Sequence, residues 1–551
     1  MGRGCARIYH SVLSRRRQLL STLIDELMQL QQRDGWLTTD GLRELAERRG
    51  LPLYRLEGAA SFYSHFRREP PKKFEIEVCR DLSCQLAGGK EAYERLRAAV
   101  DAREDVKVSE VSCIGRCDGA PAANIGHRTL RTSDADAVIA ALEAPGVSTM
   151  ARADWKAADL YREPGVKGFD ALRRGLTAER DALSARLEES GLRGMGGAGF
   201  PTGRKWALVA AEESSLDAKY VICNADESEP GTFKDREILR DLPDLVIEGM
   251  ALAAYCIGAA RGWVFIRHEY EPERERLAEA IERAREAGAL GSNIFGSGFD
   301  FDLEIFVSPG GYILGEETAL LECMEGRRGE PRNKPPFPGT HGLYGRPTLI
   351  NNVETFAHAT GILKNGVDWW RSLGAPGFAG HKFISVSGDV AEPGVQLVPM
   401  GTTLRDLLSR CGGMREGQRL AAIAPGGASS NFLSPDHLDV PLDFETLERA
   451  GSMLGSGAVI FVGDGANLLE VALNVTRFFR NESCGKCVPC RVGTDKAVQL
   501  FESVQKPTAQ HCAAIADLNA TLQRTSICGL GQVALGPLAS ILENLSASSE
   551  G

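Results

Sequence analysis

The chain has 551 residues, of which 43% are hydrophobic and 25% are charged, so it has apolar material for several cores and we expect roughly three to five domains. Its formal net charge of -10 gives no general reason to expect binding to nucleic acid or to an anionic membrane. The longest weakly charged apolar run, GMALAAYCIGAA at 249–260, is shorter than the roughly 18 residues of a spanning helix, so no membrane insertion is predicted.

The predicted elements begin with a helical region at residues 1–70. Between residues 11 and 67 the apolar positions recur with helical spacing, and one stripe contains Leu19, Leu20, Leu23, Ile24, Leu27 and Leu30. This stripe predicts a core or a subunit interface. The Arg-rich start lacks the apolar segment of a secretory signal, so we expect a cytoplasmic location.

A small α/β unit is predicted at residues 71–147, with the strand KKFEIEV and the helices GGKEAYERLRAAV and DADAVIAALEA. It contains two cysteine pairs, in VCRDLSC and SCIGRC, which comprise Cys79, Cys84, Cys113 and Cys117. Both pairs follow strand-like segments, so four thiolates could converge as the ligands of a 2Fe-2S centre. The spacing alone also suits zinc.

The glycine-rich stretch SGLRGMGGAGFPTGRKW at 190–206 meets the spacing of a dinucleotide-binding fingerprint through Gly194, Gly196 and Gly199. That fingerprint should follow a strand, whereas ERDALSARLEESG before these glycines predicts a helix. The sequence therefore argues against a Rossmann turn. Glycine backbone can still approach a phosphate or a flat ring closely, and an ordinary glycine-rich turn is the alternative interpretation.

Strands and helices alternate within residues 148–375, which predicts a mainly parallel sheet with covering helices. Polar residues follow several of the predicted strands, at the ends where open α/β sheets bind ligands. They are Asn224, Asp226, Glu227 and Glu229 after KYVICN, Tyr312, Gly315, Glu316 and Glu317 after FDLEIFV, and Lys334, Phe337, Asn351, Asn352 and Thr355 in and after a Pro-rich loop.

Two further units complete the chain. Residues 376–465 combine short β-like runs with one clear helix, LRDLLSRCGG, which predicts an α+β insert domain.

Residues 466–551 are predicted to form a helical bundle around Cys484, Cys487, Cys490 and Cys528. A C-x2-C-x2-C triplet with a distant fourth cysteine is typical of 4Fe-4S ligation, and zinc or buried thiols are the alternatives. The isolated cysteines, predicted as core residues, are Cys5, Cys223, Cys256, Cys323, Cys411 and Cys512.

In this order the motifs resemble the family of NADH-binding flavoprotein subunits of respiratory complex I. The N-terminal region is similar to the thioredoxin-like 2Fe-2S subunit of that complex, joined in front, and GAASFYSHF at 58–66 resembles the helical segment that precedes it. The resemblance implies a multi-domain α/β protein: an N-terminal helical segment, a thioredoxin-like domain, a Rossmann-like FMN domain, a ubiquitin-like SLBB insert and a C-terminal 4Fe-4S helical bundle.

The resemblance also implies FMN, NAD(H), one 2Fe-2S and one 4Fe-4S cluster as cofactors, with the eight cysteines of the two sets as metal ligands. FMN would lie on the glycine loop, held by Gly194, Gly196, Gly197, Gly199, Lys205, Asn224, Asp226, Glu316, Asn351 and Asn352. NADH would stack over the flavin, near Phe200, Glu229, Glu317, Lys334 and Phe337. Glu227, Tyr312, Gly315 and Thr355 complete the expected cofactor-binding set.

Hydride transfer between a nicotinamide and a flavin needs no side-chain acid or base, so no catalytic residue is predicted. Glu229 and Glu317 are the nearest candidates. The family usually has Arg where Met195 stands and Gly where Ser228 stands, and Gly-Tyr-Ile-Leu at 311–314 replaces its Ala-Tyr-Ile-Cys. We expect Met195 to weaken the contact with the flavin phosphate.

Fused forms of this kind occur as the NAD-reactive subunit of molybdenum or tungsten formate dehydrogenases and as the diaphorase subunit of NAD-reducing hydrogenases. All four N-terminal cysteines are present here, whereas hydrogenase diaphorases can lack part of that set, so formate dehydrogenase is the preferred interpretation. The implied partner is a catalytic alpha subunit, and a further small iron-sulfur subunit is a second candidate partner. A hydrogenase module, a complex I-like or aromatic-reductase assembly, and a non-catalytic electron-relay scaffold are the alternatives.

Overall fold

The computed structural model describes residues 22–126, 128–143, 161, 168–213 and 218–549. Cys5 and the first part of the predicted N-terminal stripe, including Leu19 and Leu20, lie outside the described residues. Three four-stranded sheets with their helices form the body of the protein, between helical segments at the two ends of the described chain.

The N-terminal helices are α1 (Leu23–Asp34), α2 (Thr39–Arg49) and α3 (Leu53–Phe62). Helix α1 starts at a capping box, in which Thr22 and Asp25 satisfy each other's backbone amides. The predicted stripe is confirmed where it is described, because Ile24 and Leu27 are fully buried. They share a hydrophobic core with the flavin-binding unit and the C-terminal helices.

The first sheet has the order β2-β1-β3-β4, in which β1 is parallel to β2 and antiparallel to β3. This is the predicted thioredoxin-like unit. Its elements are β1 (Phe74–Cys79), α4 (Leu82–Leu86), α5 (Gly89–Ala99), β2 (Val106–Val111), β3 (Ala122–Ile125), β4 (Arg128–Arg131) and α6 (Ala135–Glu143).

The central sheet is parallel throughout, as predicted, in the order β7-β6-β5-β8. Its strands are β5 (Tyr220–Ala225), β6 (Arg261–Arg267), β7 (Asp302–Ser308) and β8 (Thr348–Asn352). The helices of this unit are α7 (Asp170–Gly175), α8 (Arg180–Ser190), α9 (Thr202–Ala211), α10 (Lys234–Asp241), α11 (Pro243–Ile257), α12 (Glu271–Glu286), α13 (Glu317–Met324), α14 (Pro338–His341), α15 (Val353–Asn365) and α16 (Val367–Ser372).

The insert domain has a mixed sheet in the order β10-β9-β12-β11. Its elements are β9 (His381–Gly388), β10 (Gly394–Pro399), α17 (Leu404–Arg410), β11 (Leu420–Ala424), α18 (Phe444–Arg449) and β12 (Ala458–Gly463). The sequence predicts one helix here, and the structure adds α18, which begins at its cap Asp443. Six residues are too few for a helical period to be recognised.

The C-terminal unit is helical, as predicted. It consists of α19 (Leu468–Glu482), α20 (Val488–Phe501), α21 (Ala509–Thr525), α22 (Gly529–Val533) and α23 (Gly536–Ser549). Within the described part of the chain, no helix has both the length and the apolar character needed to cross a membrane.

Helices α11 and α15 cross closely at Gly249, where an added Cβ would lie 2.4 Å from the carbonyl oxygen of Phe356. We expect Gly249→Ala to destabilise the flavin-binding unit by about 1–3 kcal/mol, because backbone cannot move aside as a side chain can. Gly58→Ala in α3 is the matched control, since its Cβ would meet no atom within 4 Å. Scanning calorimetry should show a lower unfolding temperature for the first variant only; an equal response of both would contradict the close crossing.

Candidate functional site

The four N-terminal cysteines come together in the thioredoxin-like unit, and all four are buried. Cys79 ends β1, Cys84 lies in α4, and Cys113 and Cys117 lie on the loop that follows β2. The sulfur atoms of Cys113 and Cys117 are 3.5 Å apart. Hydrogen bonds from the Cys117 and Cys79 thiols lower the pKa of Cys113, and the same hydrogen bonds raise the pKa of Cys117 and Cys79, so a thiolate is favoured at Cys113.

The flavin-binding unit helps to hold the loop of Cys113 and Cys117. The Gly231 amide donates to Cys117 Sγ at 3.3 Å, and the buried guanidinium of Arg267 donates to the Cys113 carbonyl at 2.6 Å. Arg236 donates to the Gly115 carbonyl at 2.6 Å. Converging thiols with amide donors on their sulfurs fit a 2Fe-2S centre. No local signal in the sequence points to Arg236 or Arg267, because they are distant in the chain from the cysteines.

The C-terminal cysteines converge from three segments. Cys484 follows α19, Cys487 and Cys490 begin α20, and Cys528 precedes α22. Burial raises the pKa of Cys528 to about 12, and the charge of Cys484 adds to this, so the two thiols are close enough to interact. The backbone of Lys486 donates toward the Cys484 sulfur.

Gly531 permits this convergence, because a Cβ there would lie 3.0 Å from the Cβ of Cys490. Four thiols with amide donors nearby fit a 4Fe-4S cluster. Within residues 22–126, 128–143, 161, 168–213 and 218–549, no three His, Cys, Asp or Glu side chains lie close enough to share a single metal ion. The ligands of a cluster of several irons lie farther apart than the ligands of one ion, so this result concerns single-ion sites and not iron-sulfur clusters.

The glycine-rich loop follows helix α8 rather than a strand, which confirms that it is not a Rossmann turn. Its backbone has positive φ at three glycines, +73° at Gly191, +121° at Gly197 and +62° at Gly199. A Cβ at Gly196 would lie 3.0 Å from the Cβ of Asn352. The loop therefore packs directly on the end of β8, where side chains larger than hydrogen would keep the two segments apart.

The ends of β5 and β8 bring the predicted polar residues together. The two strands are neighbours, and Asn224 pairs in register with Asn352. Asn224 donates to the Gly315 carbonyl at 2.9 Å, and Asn351 accepts from the indole of Trp206 at 3.1 Å. Thr355, one turn into α15, accepts from the Met195 amide at 2.9 Å. The glycine loop, the ends of β5 and β8 and the turn after β7 thus meet at one edge of the sheet.

Asp226 provides the test of whether a ligand fits this edge. Its Oδ1 is buried and has no hydrogen-bond partner among the described residues, while Oδ2 accepts from the Ser228 hydroxyl at 3.2 Å. Burial raises the pKa of Asp226 to about 7. A buried, unpartnered oxygen just after β5 fits a polar cofactor such as FMN.

The side chain of Glu227 is bonded to the first turn of helix α10. Its carboxylate accepts from the backbone amides of Asp235 and Arg236 at 2.8 and 3.1 Å and from the Tyr270 hydroxyl at 3.0 Å. The side chain therefore fixes the start of α10 in this structure. Its predicted role toward the cofactor stays a prediction.

A charged rim, formed by Lys205, Glu316, Glu317 and Lys334, lies at the start of α13. The Lys334 ammonium lies 2.8 Å from carboxylate oxygens of both Glu316 and Glu317, and Lys205 lies 3.4 Å from Glu317. Burial alone would raise the pKa of Glu317, but the two lysines hold it below its ordinary value. The other oxygen of Glu316 caps α13 by accepting from the amides of Thr318 and Ala319.

Two predicted aromatic residues have much of their surface in solvent. Phe200 is 43% exposed and Phe337 is 57% exposed. Large apolar side chains that remain exposed are available to stack on a planar ligand. Tyr312 is different, since its ring packs on Phe478 of α19 with centroids 5.0 Å apart.

The insert domain completes one wall of the site, which the sequence did not predict. Glu229 accepts from the Ser429 amide at 2.9 Å and from the Ser456 hydroxyl at 3.1 Å. Burial raises the pKa of Glu229 even though these donors lower it. Ser429 and Ser456 carry no recognisable motif and reach Glu229 only because the insert folds back onto the central sheet.

Four family profiles match the chain in the order of these units. A thioredoxin-like 2Fe-2S ferredoxin profile matches residues 9–145, and the Nuo51 FMN-binding domain matches residues 187–360. The SLBB domain matches residues 383–432, and the NADH-ubiquinone oxidoreductase-F iron-sulfur binding region matches residues 470–550.

Comparisons with individual proteins point to the same family as these profiles. The F subunit of the NADH-quinone oxidoreductase of Mycobacterium bovis is 43% identical over 394 residues, which is 71% of this chain and 88% of that protein. The NADP-reducing hydrogenase subunit HndC of Solidesulfovibrio fructosivorans is 40% identical over 388 residues, or 70% and 79% of the two chains. A crystal structure of an NAD+-reducing NiFe hydrogenase in the H2-reduced state superposes with a TM-score of 0.85 at 33% identity, covering 95% of this chain and 92% of that one.

The order of the domains, the two converging cysteine sets and these similarities lead to one conclusion. The chain belongs to the family of NADH-binding flavoprotein subunits of complex I, in a form that carries a thioredoxin-like 2Fe-2S domain in front of the FMN-binding, SLBB and 4Fe-4S domains.

Proposed function

We propose that this chain is the NAD-reactive subunit of an NAD-dependent formate dehydrogenase, which exchanges electrons with a molybdenum or tungsten catalytic subunit. The observation that carries this proposal is the complete set of four buried thiols in the fused thioredoxin-like domain, placed directly against the flavin-binding unit. A full 2Fe-2S site together with the C-terminal thiols supports a subunit that passes electrons onward. The five domains span residues 1–70, 71–147, 148–375, 376–465 and 466–551 in this proposal.

FMN, when bound, would supply hydride exchange with NAD(H) and single-electron exchange with iron-sulfur centres. The chain itself supplies binding and orientation. The glycine loop, Asn224, Asn352 and Thr355 would hold the flavin, and the rim of Glu317 and Lys334 would receive the nucleotide. The buried carboxylate of Glu229, fixed by two serines of the insert, gives that side of the cavity a defined shape.

A hydrogenase module is the second candidate function. It is supported by the structural similarity to the NAD+-reducing NiFe hydrogenase chain, which extends over 95% of this chain and therefore includes the fused N-terminal domain. In both candidates this chain carries the NAD(H) chemistry, and the partner subunit determines the second substrate.

The partner experiment separates the two candidates. The chain is expressed with an affinity tag in its own cells, and the isolated assembly is analysed for metals and assayed with NAD+ plus either formate or H2. We expect molybdenum or tungsten with formate-dependent NAD+ reduction. Nickel with H2-dependent reduction would replace the formate proposal by the hydrogenase one. An assembly with neither activity, and no bleaching of its visible absorbance by NADH, would contradict both.

The exposed ring of Phe337 gives a prediction for nucleotide binding. We expect Phe337→Ala to raise the KM for NADH roughly 2- to 10-fold through lost stacking, with the FMN content and thermal stability unchanged. Tyr54→Ala is the matched control, because Tyr54 is also exposed, at 70%, but lies on the N-terminal helices. Steady-state NADH–ferricyanide kinetics provide the measurement; equal KM values for both variants and the parent would contradict the placement of NADH at Phe337.

The C-terminal thiols give a prediction for cluster content. With both clusters present we expect about six irons per chain, and Cys528→Ala should leave about two, because the loss of one ligand should release the 4Fe-4S cluster. Cys512→Ala, a half-buried cysteine on α21, is the control and should keep all six. Iron and sulfide analysis with EPR distinguishes these results. Full iron retention in Cys528→Ala would refute this ligand set.

A further inference from the structure

Lys382 is a fully buried lysine of the insert domain. It is the second residue of β9, in the insert domain, and 1% of its surface is exposed. Its ammonium group donates to the carboxylate of Glu354 at 2.9 Å and to the backbone carbonyl of Met195 at 3.2 Å. Glu354 belongs to α15 and Met195 to the glycine-rich loop, so one ammonium joins three separate segments.

The loop residue Met195 is held from both sides of its backbone. Its amide donates to the Thr355 hydroxyl at 2.9 Å, while its carbonyl accepts from Lys382. The next residue, Gly196, packs on Asn352, where a Cβ would lie 3.0 Å away. Lys382 therefore helps to fix the loop against the first turn of α15, between residues predicted to bind the flavin.

Lys382 belongs to a buried group of two lysines, Lys382 and Lys234, and two carboxylates, Glu354 and Asp235. Glu354 shares the same oxygen, Oε2, between Lys382 and Lys234, each at 2.9 Å. Lys234 also pairs with Asp235 at 2.7 Å, whereas Lys382 forms an ion pair with Glu354 alone among the described residues. Burial lowers the pKa of Lys382 to about 8. Lys382 is the cation of this group that donates to the glycine-rich loop, so an anion bound on that loop would lie near its positive charge.

We propose that Lys382 is a positioning residue of the flavin site, which holds the glycine-rich loop from the insert domain and supplies buried positive charge for the phosphate of FMN. This inference rests on the proposed placement of FMN on that loop. It also accounts for Met195, since the Met195 sulfur lies 3.8 Å from the Lys382 ammonium, and an arginine in its place would add a third cation to the buried pair of Lys382 and Lys234.

A comparison of FMN with riboflavin tests the proposal, because the two differ only by the phosphate. The full chain is freed of flavin and titrated with each, and binding is followed by quenching of flavin fluorescence. In Lys382→Met we expect the affinity for FMN to fall about tenfold or more, as for loss of a charged hydrogen-bonding partner, while riboflavin binding changes much less. Lys90→Met, an exposed lysine of the thioredoxin-like unit, is the control and should leave both affinities unchanged.

A second variant controls for misfolding caused by the loss of an ion-pair partner of Glu354. Lys382→Met leaves Glu354 with one lysine fewer, so we also test the double variant Lys382→Met/Glu354→Gln, which removes both charges of the pair. The preference for FMN over riboflavin should be reduced in this variant as well, with a thermal midpoint near that of the parent protein.

The outcomes separate this proposal from a simple contact between domains. Equal losses for FMN and riboflavin, or no loss of either, would overturn the role of Lys382 toward the phosphate. A parent protein that binds FMN no better than riboflavin would contradict the placement of the phosphate on the loop, and with it both the proposed site and this inference.

Discussion

The parallel pairing of β5 with β8 is the constraint on which the site depends. These strands are far apart in sequence, but their pairing sets Asn224 beside Asn352 and brings the turns after both strands to the same edge of the sheet. The glycine-rich loop can rest on this edge only because Gly196 has no side chain to collide with Asn352. Carboxyl ends of parallel strands are where open α/β sheets bind ligands, since the turns there diverge and leave a crevice.

The other domains are arranged around this edge and contribute to it. The insert domain supplies Ser429 and Ser456 to hold Glu229, and Lys382 to hold the loop at Met195. The thioredoxin-like domain brings its cysteine loop against Gly231, only two residues after Glu229. The segment after β5 therefore contacts both the predicted nucleotide site and a predicted cluster ligand, Cys117, so one short stretch of backbone connects the two regions.

A second connection runs through Glu482, at the end of α19 and two residues before Cys484. One of its oxygens accepts from the Ser112 hydroxyl at 2.5 Å, next to Cys113, and the other accepts from the Tyr312 amide at 2.8 Å. One carboxylate thus contacts the 2Fe-2S loop and the turn after β7, and sits beside the 4Fe-4S motif. Interdomain hydrogen bonds of this kind hold the cofactor segments at fixed separations.

The amino-acid sequence by itself determined the order and type of the domains, both cysteine sets, and the strand-end residues, because each of these leaves a local pattern: a hydrophobic period, a ligand spacing or a glycine cluster. It also excluded a Rossmann turn, since the helix before Gly194 could be recognised from its own periodicity. Only the tertiary structure decided the roles of Lys382, Arg267 and Ser456. Lys382 bonds to Glu354, 28 residues away, Arg267 to the Cys113 carbonyl, and Ser456 to Glu229, and hydrogen bonds between such distant segments leave no periodic trace in a single sequence.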